Sequence, residues 1–347
     1  MNNELTPLAL AIIGPGRMGR LYARMIAESA TARLVALCGN STESTQGAAN
    51  VYNVPGYAGG NVQAMLAAHP QIEAVIVAAS EWAHTEPVLA ALDAGKHVLV
   101  EKPLAINATD AALMVQRAAD KGVHLLVCHS LRFDLRFAAL RQAVVDGAVG
   151  EVLHLYARRN APQIAVERVV GRFPLAYWLA PHDIDMMLWT TGSPVQKVMA
   201  YSRAGGKERV DFIIAVLTFA NGAIGVLESS WGTPAVSGQP LTEQFTVRGT
   251  AGMVELLSNQ TGVGVYRAGA VPEYPDIGYT PVIHDQQEGM FRRLLHHFVG
   301  VVRHQYQPVV TGADGLAAIR VAAAIAQSLQ EGREVIITQE ENHDQLH

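Results

Sequence analysis

The chain has 347 residues, more than one compact core usually holds, so two domains are the first expectation. Half of it is hydrophobic, 16% is charged and the net charge is only −5, as in a well-buried globular protein. No basic run marks a nucleic-acid binder, no window reaches transmembrane length, and the amino end lacks the basic start of a signal peptide. A cytoplasmic protein without nucleic-acid or membrane partners is expected.

The first third alternates strand and helix patterns. Continuously apolar runs at Leu8–Ile13, Leu34–Cys38, Ala74–Ala79, His97–Val100 and Leu125–Cys128 read as strands buried on both faces. Helical patterns at Met18–Glu28, Asn61–Ala68, Thr85–Ala94 and Asp110–Lys121 separate them, and Gly95 and Gly122 follow the last two. This alternation predicts an α/β domain with a doubly wound parallel sheet. Cys38 and Cys128 fall in strand runs and read as buried reduced thiols.

Gly14-Pro15-Gly16-Arg17-Met18-Gly19 closes the first strand and opens a helix. Gly14 suits the tight turn, Gly16 lets backbone approach a pyrophosphate, and Gly19 lets the helix pack close. The helix amino end, with Arg17 and Met18, adds N–H groups and a favourable dipole for an anion. The loop therefore predicts a dinucleotide cofactor. The second strand normally ends in an acid for the ribose of NAD, but Gly39 stands there, followed by Asn40 and Ser41. With no carboxylate to repel a 2′-phosphate, the expectation leans toward NADP, with NAD as the alternative.

Glu101-Lys102-Pro103 closes the strand at His97–Val100. Pro103 drives Lys102 toward an extended backbone. An amine at the carboxyl end of such a strand, beside an oxidised nicotinamide, has a lowered pKa and can exchange protons near neutrality. Ala79 closes the preceding strand.

After about residue 150 the pattern becomes strand upon strand: Glu151–Arg159, Val195–Arg203, Val210–Ala220, Ala223–Trp231, Glu243–Arg248 and Met253–Leu257. Asn221-Gly222 is a hairpin signal, and Gly249–Gly252 looks like a second. A large, mainly antiparallel open sheet is expected, closed by helices at Gln287–Arg303 and Asp314–Gln330. The expected domains are 1–128 for the dinucleotide and 129–347 for substrate and association, with the C-terminal helices available to pack back on the first. Within the second, Pro181-His182-Asp183-Ile184-Asp185 opens a helix ending at Gly192. His182, Asp185 and Trp189 share one face, opposite Ile184 and Leu188. A histidine in the first turn is kept neutral by the dipole, as a base must be, and Asp185 can orient it or hold a substrate hydroxyl. No ligand cluster has zinc spacing. The loops Asn160–Arg172 and Thr233–Pro240 are expected to shape the pocket.

These motifs resemble the glucose–fructose oxidoreductase / inositol dehydrogenase / rhizopine-catabolism family. The resemblance rests on the glycine loop, the stretch Ala90–Leu104 with its Gly-Lys-His-Val and Glu-Lys-Pro runs, Arg132-Phe133 and the His182 helix. It implies a Rossmann domain, a mainly antiparallel C-terminal domain that often makes dimer or tetramer contacts, and oxidation or reduction of a sugar or polyol with NAD(P). It implies that Lys102 and His182 are catalytic, that Glu101 lies near the nicotinamide and that His84 flanks the cofactor pocket. Arg132 and Asp185 are expected to orient the substrate. Many relatives carry an aspartate where this chain has Trp178, whose ring can instead pack on a sugar face. Two further readings remain: a redox-neutral NAD-dependent glycosidase, and a nucleotide-sensing regulator of the same fold.

Overall fold

The computed structural model describes residues 6–162, 173–204, 210–233, 241–257, 263–267, 269 and 275–338. Two units emerge: Met1–Ala138 with Asp276–Ile319, and Ala139–Pro275 with Arg320–His347. A single cut in sequence does not separate them, because the chain returns to the first unit at Asp276.

The first unit runs β1 (Leu8–Ile13), α1 (Arg17–Ala27), β2 (Ala32–Cys38), α2 (Thr42–Tyr52), β3 (Gly56–Tyr57), α3 (Val62–Ala68), β4 (Ala74–Val77), α4 (Thr85–Asp93), β5 (His97–Val100), α5 (Ala108–Lys121) and β6 (Leu125–Val127). Its six strands are all parallel, in the order β3-β2-β1-β4-β5-β6. Every residue of β1, β4 and β6 is buried, as strands covered by helices on both faces must be. The strand order reverses between β1 and β4, and the crevice at their carboxyl ends is where such sheets bind ligands. Helix α2 was not legible from the apolar pattern. It starts because Ser41 caps it, accepting from the Ser44 N–H, and it stops at Asn53 in the left-handed region.

Helix α6 (Leu135–Val145) leads to the second unit, which contains β7 (Val152–Pro162), α7 (Leu175–Trp178), α8 (Ala180–Thr191), β8 (Val195–Ala204), β9 (Val210–Phe219), β10 (Ile224–Thr233), β11 (Thr242–Gly249) and β12 (Met253–Leu257). A short pair, β13 (Val282–Ile283) and β14 (Gln286–Gln287), then α9 (Met290–Val302) belong to the first unit. Helix α10 (Gly312–Glu331) and β15 (Val335–Ile336) follow.

The second sheet has seven strands in the order β12-β11-β7-β10-β9-β8-β15. Asn221-Gly222 turns β9 into β10 as expected, with Gly222 at φ +88° donating to the Phe219 carbonyl. The sheet is mixed rather than uniformly antiparallel: β7 and β10 run parallel, with Leu155 opposite Gly225. Strand β7 thus lies between β10 and β11 instead of beside its sequence neighbour. Helix α8 packs on β7 and β10, in which Leu155, Ala157, Arg159, Leu227 and Ser229 are buried.

Candidate active site

The glycine loop takes the form its spacing requires. Gly14, at φ +94°, donates to the Cys38 carbonyl at 2.8 Å, and a side chain on it would run into the backbone of Ala78 and Ala79. A Cβ on Gly19 would strike the Gly14 carbonyl, so α1 rests directly on the loop. Gly16 differs from both, because a Cβ there meets nothing within 4 Å. Gly16 is also the N-cap of α1, with no side chain capping it and no acid in the first turn. Open space before uncapped N–H groups fits a pyrophosphate. Arg17 is exposed and Met18 half-buried at the first positions of α1.

At the end of β2, Gly39 donates to the Tyr57 carbonyl, and the loop after β3 donates back to Gly39 and Asn40. Asn40 and Ser41 are exposed, and Ser41 oxygen is engaged as the α2 cap. Arg20, on α1, bridges the glycine loop and the first turn of α2, donating to the Pro15 carbonyl at 3.2 Å and the Ser44 carbonyl at 3.5 Å.

Two side chains, His84 and Tyr22, tie the Glu101-Lys102-Pro103 turn to this crevice. His84 is 1% exposed, with Nδ1 2.8 Å from the Pro103 carbonyl and Nε2 3.2 Å from the Ala79 carbonyl. Both partners are acceptors, so the ring donates to each carbonyl with whichever nitrogen carries hydrogen. The Lys102 N–H donates to Oε2 of Glu101 at 3.2 Å. Tyr22, fully buried on α1, donates to Oε1 of the same carboxylate at 3.1 Å and lies 3.0 Å from Cys128 Sγ. Burial pushes the Tyr22 hydroxyl and the Cys128 thiol well up, so both stay protonated and serve as hydrogen-bond partners. Cys38 is likewise free and buried, its thiol pushed up to about 11 by burial. Lys102 is half-buried and its peptide bond to Pro103 is cis.

Arg132, expected to orient the substrate, is anchored within the first unit. Its side chain is 2% exposed, pairs with Asp314 at 2.9 Å and donates to the Val309 carbonyl at 2.6 Å. Burial raises the Asp314 carboxyl, but Arg132, helped by hydrogen bonds from Thr311, outweighs it and lowers the pKa. The pair braces the start of α10.

In the second unit, Trp178 ends α7 and faces Trp231 with ring centroids 6.1 Å apart. His182 is half-buried in the first turn of α8, where Pro181 suits the helix start and Gly192, at φ +59°, ends it. Asp185 is 1% exposed. Leu188, expected on the buried side with Ile184, is only half-buried. The acid beside His182 has its own partner. Asp183 takes two hydrogen bonds from Arg159 on β7, at 2.8 and 3.0 Å, and Arg159 gives a third to Glu243 on β11 at 2.8 Å. Arg159 is 0% exposed, so one guanidinium serves two buried carboxylates. Burial raises the Asp183 carboxyl, Arg159 opposes the shift, and Glu243 adds to it.

The structure therefore gathers Gly14, Gly16, Arg17, Met18, Gly19, Ala79, His84, Glu101 and Lys102 at the switch point of the first sheet, with Asn40 and Ser41 at the end of β2. Trp178, His182 and Asp185 belong to α7 and α8 of the second unit. Sequence reading missed Tyr22, Arg20, Arg159 and Glu243. A polar residue in an apolar strand is a signal for Arg159; the other three look like surface residues until their partners are known. The expected pocket loops fall mostly at 163–172 and 234–240, outside the described residues. Among the described residues, no three His, Cys, Asp or Glu side chains could hold a metal ion, and no helix is long and apolar enough to cross a membrane.

Comparison with known proteins agrees with this architecture. Residues 8–129 match the GFO_IDH_MocA model, described as an oxidoreductase family with an NAD-binding Rossmann fold, and residues 137–255 match the GFO/IDH/MocA C-terminal domain. The chain is 29% identical over 345 residues to a myo-inositol 2-dehydrogenase of Thermotoga maritima, covering 94% of this chain and 98% of that one. It is 26% identical over 338 residues to an inositol 2-dehydrogenase of Rhizobium meliloti, covering 94% and 98%. Its fold matches the scyllo-inositol dehydrogenase of Lactobacillus casei, solved with NAD(H) and scyllo-inositol, at a TM-score of 0.79 and 20% identity over 96% and 99% of the two chains.

Proposed function

Because the chain belongs to the GFO/IDH/MocA oxidoreductase family, we propose that it is an NAD(P)-dependent dehydrogenase acting on a hydroxyl-bearing carbon of an inositol, sugar or related polyol. The observation that carries this reading is one continuous chain of contacts in the first unit. Gly14 packs on Ala79, His84 bridges Ala79 to Pro103, and Tyr22 of the glycine-loop helix bonds Glu101. An anion site and a half-buried amine are thereby fixed to the same crevice.

Bound NAD(P) supplies the hydride acceptor or donor at its nicotinamide. The chain's own residues hold it and handle the proton. Gly14, Gly16, Arg17, Met18 and Gly19 take the pyrophosphate, and Asn40 and Ser41 the adenosine ribose. Lys102 and His182 exchange the substrate's hydroxyl proton. Asp185 orients the substrate or His182, and Trp178 offers a ring to the apolar face of a cyclic polyol. No carboxylate stands at residue 39, while Arg20 reaches the first turn of the helix that follows it, so NADPH is expected to bind more tightly than NADH.

The open face of the second sheet carries exposed Tyr201 opposite exposed Ile214. A second copy covering that face would make the protein a homodimer or homotetramer, as light scattering of the purified protein would read directly.

The test is fluorescence titration with NADPH and NADH, followed by myo-inositol, scyllo-inositol and a sugar panel read at the cofactor absorbance. Saturable binding with substrate-dependent absorbance change is expected, and Lys102→Met should abolish turnover while keeping binding. Product formed with no net change in cofactor would replace this reading with redox-neutral chemistry. Binding without any turnover would favour a sensor, and near-normal turnover by Lys102→Met would remove that residue's role.

A further inference from the structure

The residue that closes the second strand of a dinucleotide fold lies beside the adenosine ribose, where a carboxylate accepts from the 2′-hydroxyl and repels a 2′-phosphate. Here that residue is Gly39, and its backbone does not call for glycine, since its φ lies outside the left-handed region. Space calls for it. A Cβ on Gly39 would lie 2.6 Å from Cδ and 2.9 Å from Cγ of Pro15, and 2.6 Å from Oγ1 of Thr45. Pro15 is buried, and its ring cannot rotate away from its own backbone. Thr45, 1% exposed, closes the notch from α2.

Nor can the two loops slide apart. Gly14 donates to Cys38 at 2.8 Å, Gly39 to Tyr57 at 2.9 Å, and Gly60 to Gly39 at 3.1 Å. The next position is open instead. Asn40 is exposed, its carbonyl accepts from Gly59 at 3.3 Å, and a Cβ on Gly60 would lie 2.7 Å from Asn40 Oδ1. The Asn40 side chain therefore lies over Gly60, which has no side chain to displace it. Arg20, bonded to the Pro15 and Ser44 carbonyls, holds a cation between the glycine loop and the first turn of α2, just beyond Asn40 in the chain.

We propose that Pro15 and Gly39 are an interlocked pair: the proline inside the glycine loop occupies the space of the usual ribose-reading acid and passes selectivity for the adenosine ribose to Asn40 and Arg20. A carboxylate cannot be restored at residue 39 while residue 15 is proline. The proposal rests on cofactor binding at this loop, not on which cofactor binds more tightly.

The experiment is a double-mutant cycle with Gly39→Asp, Pro15→Ala and the two combined, plus Gly39→Ala as a milder probe that adds only the Cβ. Each protein is melted, and its dissociation constants for NADH and NADPH are read by fluorescence. Gly39→Ala and Gly39→Asp should each lower Tm by about 4–8 °C, and Pro15→Ala by no more than about 3 °C. The combined variant should regain most of the loss, because Cγ and Cδ of residue 15 are gone and the Thr45 hydroxyl can rotate. It should also shift its preference toward NADH by about tenfold or more relative to wild type, whereas Gly39→Asp alone weakens both cofactors. Additive Tm losses would overturn the interlock, as would a Gly39→Asp protein of unchanged Tm that gains NADH by itself. Asn40→Ala or Arg20→Ala proteins with an unaltered NADH-to-NADPH ratio would overturn the transfer of selectivity. Wild-type protein that binds neither cofactor would overturn the functional reading and the ribose assignment with it, and the melting cycle reports on the interlock separately.

Discussion

The Tyr22 hydroxyl donates a 3.1 Å hydrogen bond to Oε1 of Glu101, so the helix behind the glycine loop grips the strand end that carries Lys102. Glu101 in turn accepts from the Lys102 N–H. Tyr22→Phe keeps the ring against Phe291 but removes the donor. A buried hydrogen bond to a charged acceptor is worth about 1–3 kcal/mol, or roughly 2–10 °C in Tm for a protein of this size. The expected pattern is a lower Tm, a lower kcat and an NADPH dissociation constant within about threefold of wild type. Thermal melts and steady-state kinetics check it, and an unchanged kcat would confine Tyr22 to stability alone.

Arg159, 0% exposed in the second unit, forms ion pairs with both Asp183 and Glu243. Arg159→Met would remove the guanidinium that pairs with both buried carboxylates and should cost about 3–5 kcal/mol in urea unfolding. The pH dependence has a definite sign. The Asp183 carboxyl is already raised in the folded protein and would rise further in the variant. The folded state then binds protons the unfolded state has released, so stability falls as pH rises above the ordinary carboxylate range. The deficit of Arg159→Met should therefore shrink as pH is lowered toward 5. A deficit that grows on acidification would mean the carboxylates have found another cation.

What the sequence made legible follows from how local the signals are. Strands β1, β4 and β5 were readable because burial on both faces demands unbroken apolar runs, and the glycine loop because its constraints lie within six residues. Helix α2 was not, since Thr42–Tyr52 buries only Thr45, Ala48 and Ala49 and shows no apolar stripe. The parallel pairing of β7 with β10 was hidden because the hairpins between them looked like a meander. Tyr22 and Glu101 are 79 residues apart and Arg159 and Glu243 are 84, so nothing nearby announces either pair. Arg132 was likewise read only from its neighbouring motif, because its partner Asp314 lies 182 residues away.

Gly16 and Gly19 make a paired test of the glycine loop. A methyl group on Gly19 must displace the Gly14 carbonyl, whereas one on Gly16 enters open space. Gly19→Ala should therefore unfold at a temperature lower by roughly 2–10 °C, from about 1–3 kcal/mol of overpacking. Gly16→Ala should melt within about 2 °C of wild type yet bind NADPH at least tenfold more weakly, a loss of about 1.4 kcal/mol, because the pyrophosphate needs that space. Normal cofactor affinity in Gly16→Ala would move the pyrophosphate away from this helix end.

His97, at the amino end of β5, provides the pH test of the first unit. Its Nδ1 accepts from the His124 N–H at 3.0 Å and its ring stacks on His124 at 5.2 Å. Burial, then the neighbouring His124 and His304, lower its pKa from 6.5 to about 4, while Glu73, itself paired with Arg303, opposes the shift. The folded ring thus stays neutral to about pH 4, whereas the unfolded one takes a proton near 6.5. Its contribution is fully present above pH 6.5 and is lost as pH falls toward 4. The shift, discounted because the ring is half-exposed, corresponds to on the order of 1–2 kcal/mol. His97→Asn keeps an acceptor for the His124 N–H and cannot titrate. Its stability should fall less steeply than wild type between pH 6.5 and 4 in chemical denaturation, and parallel curves would show that His97 carries no proton linkage.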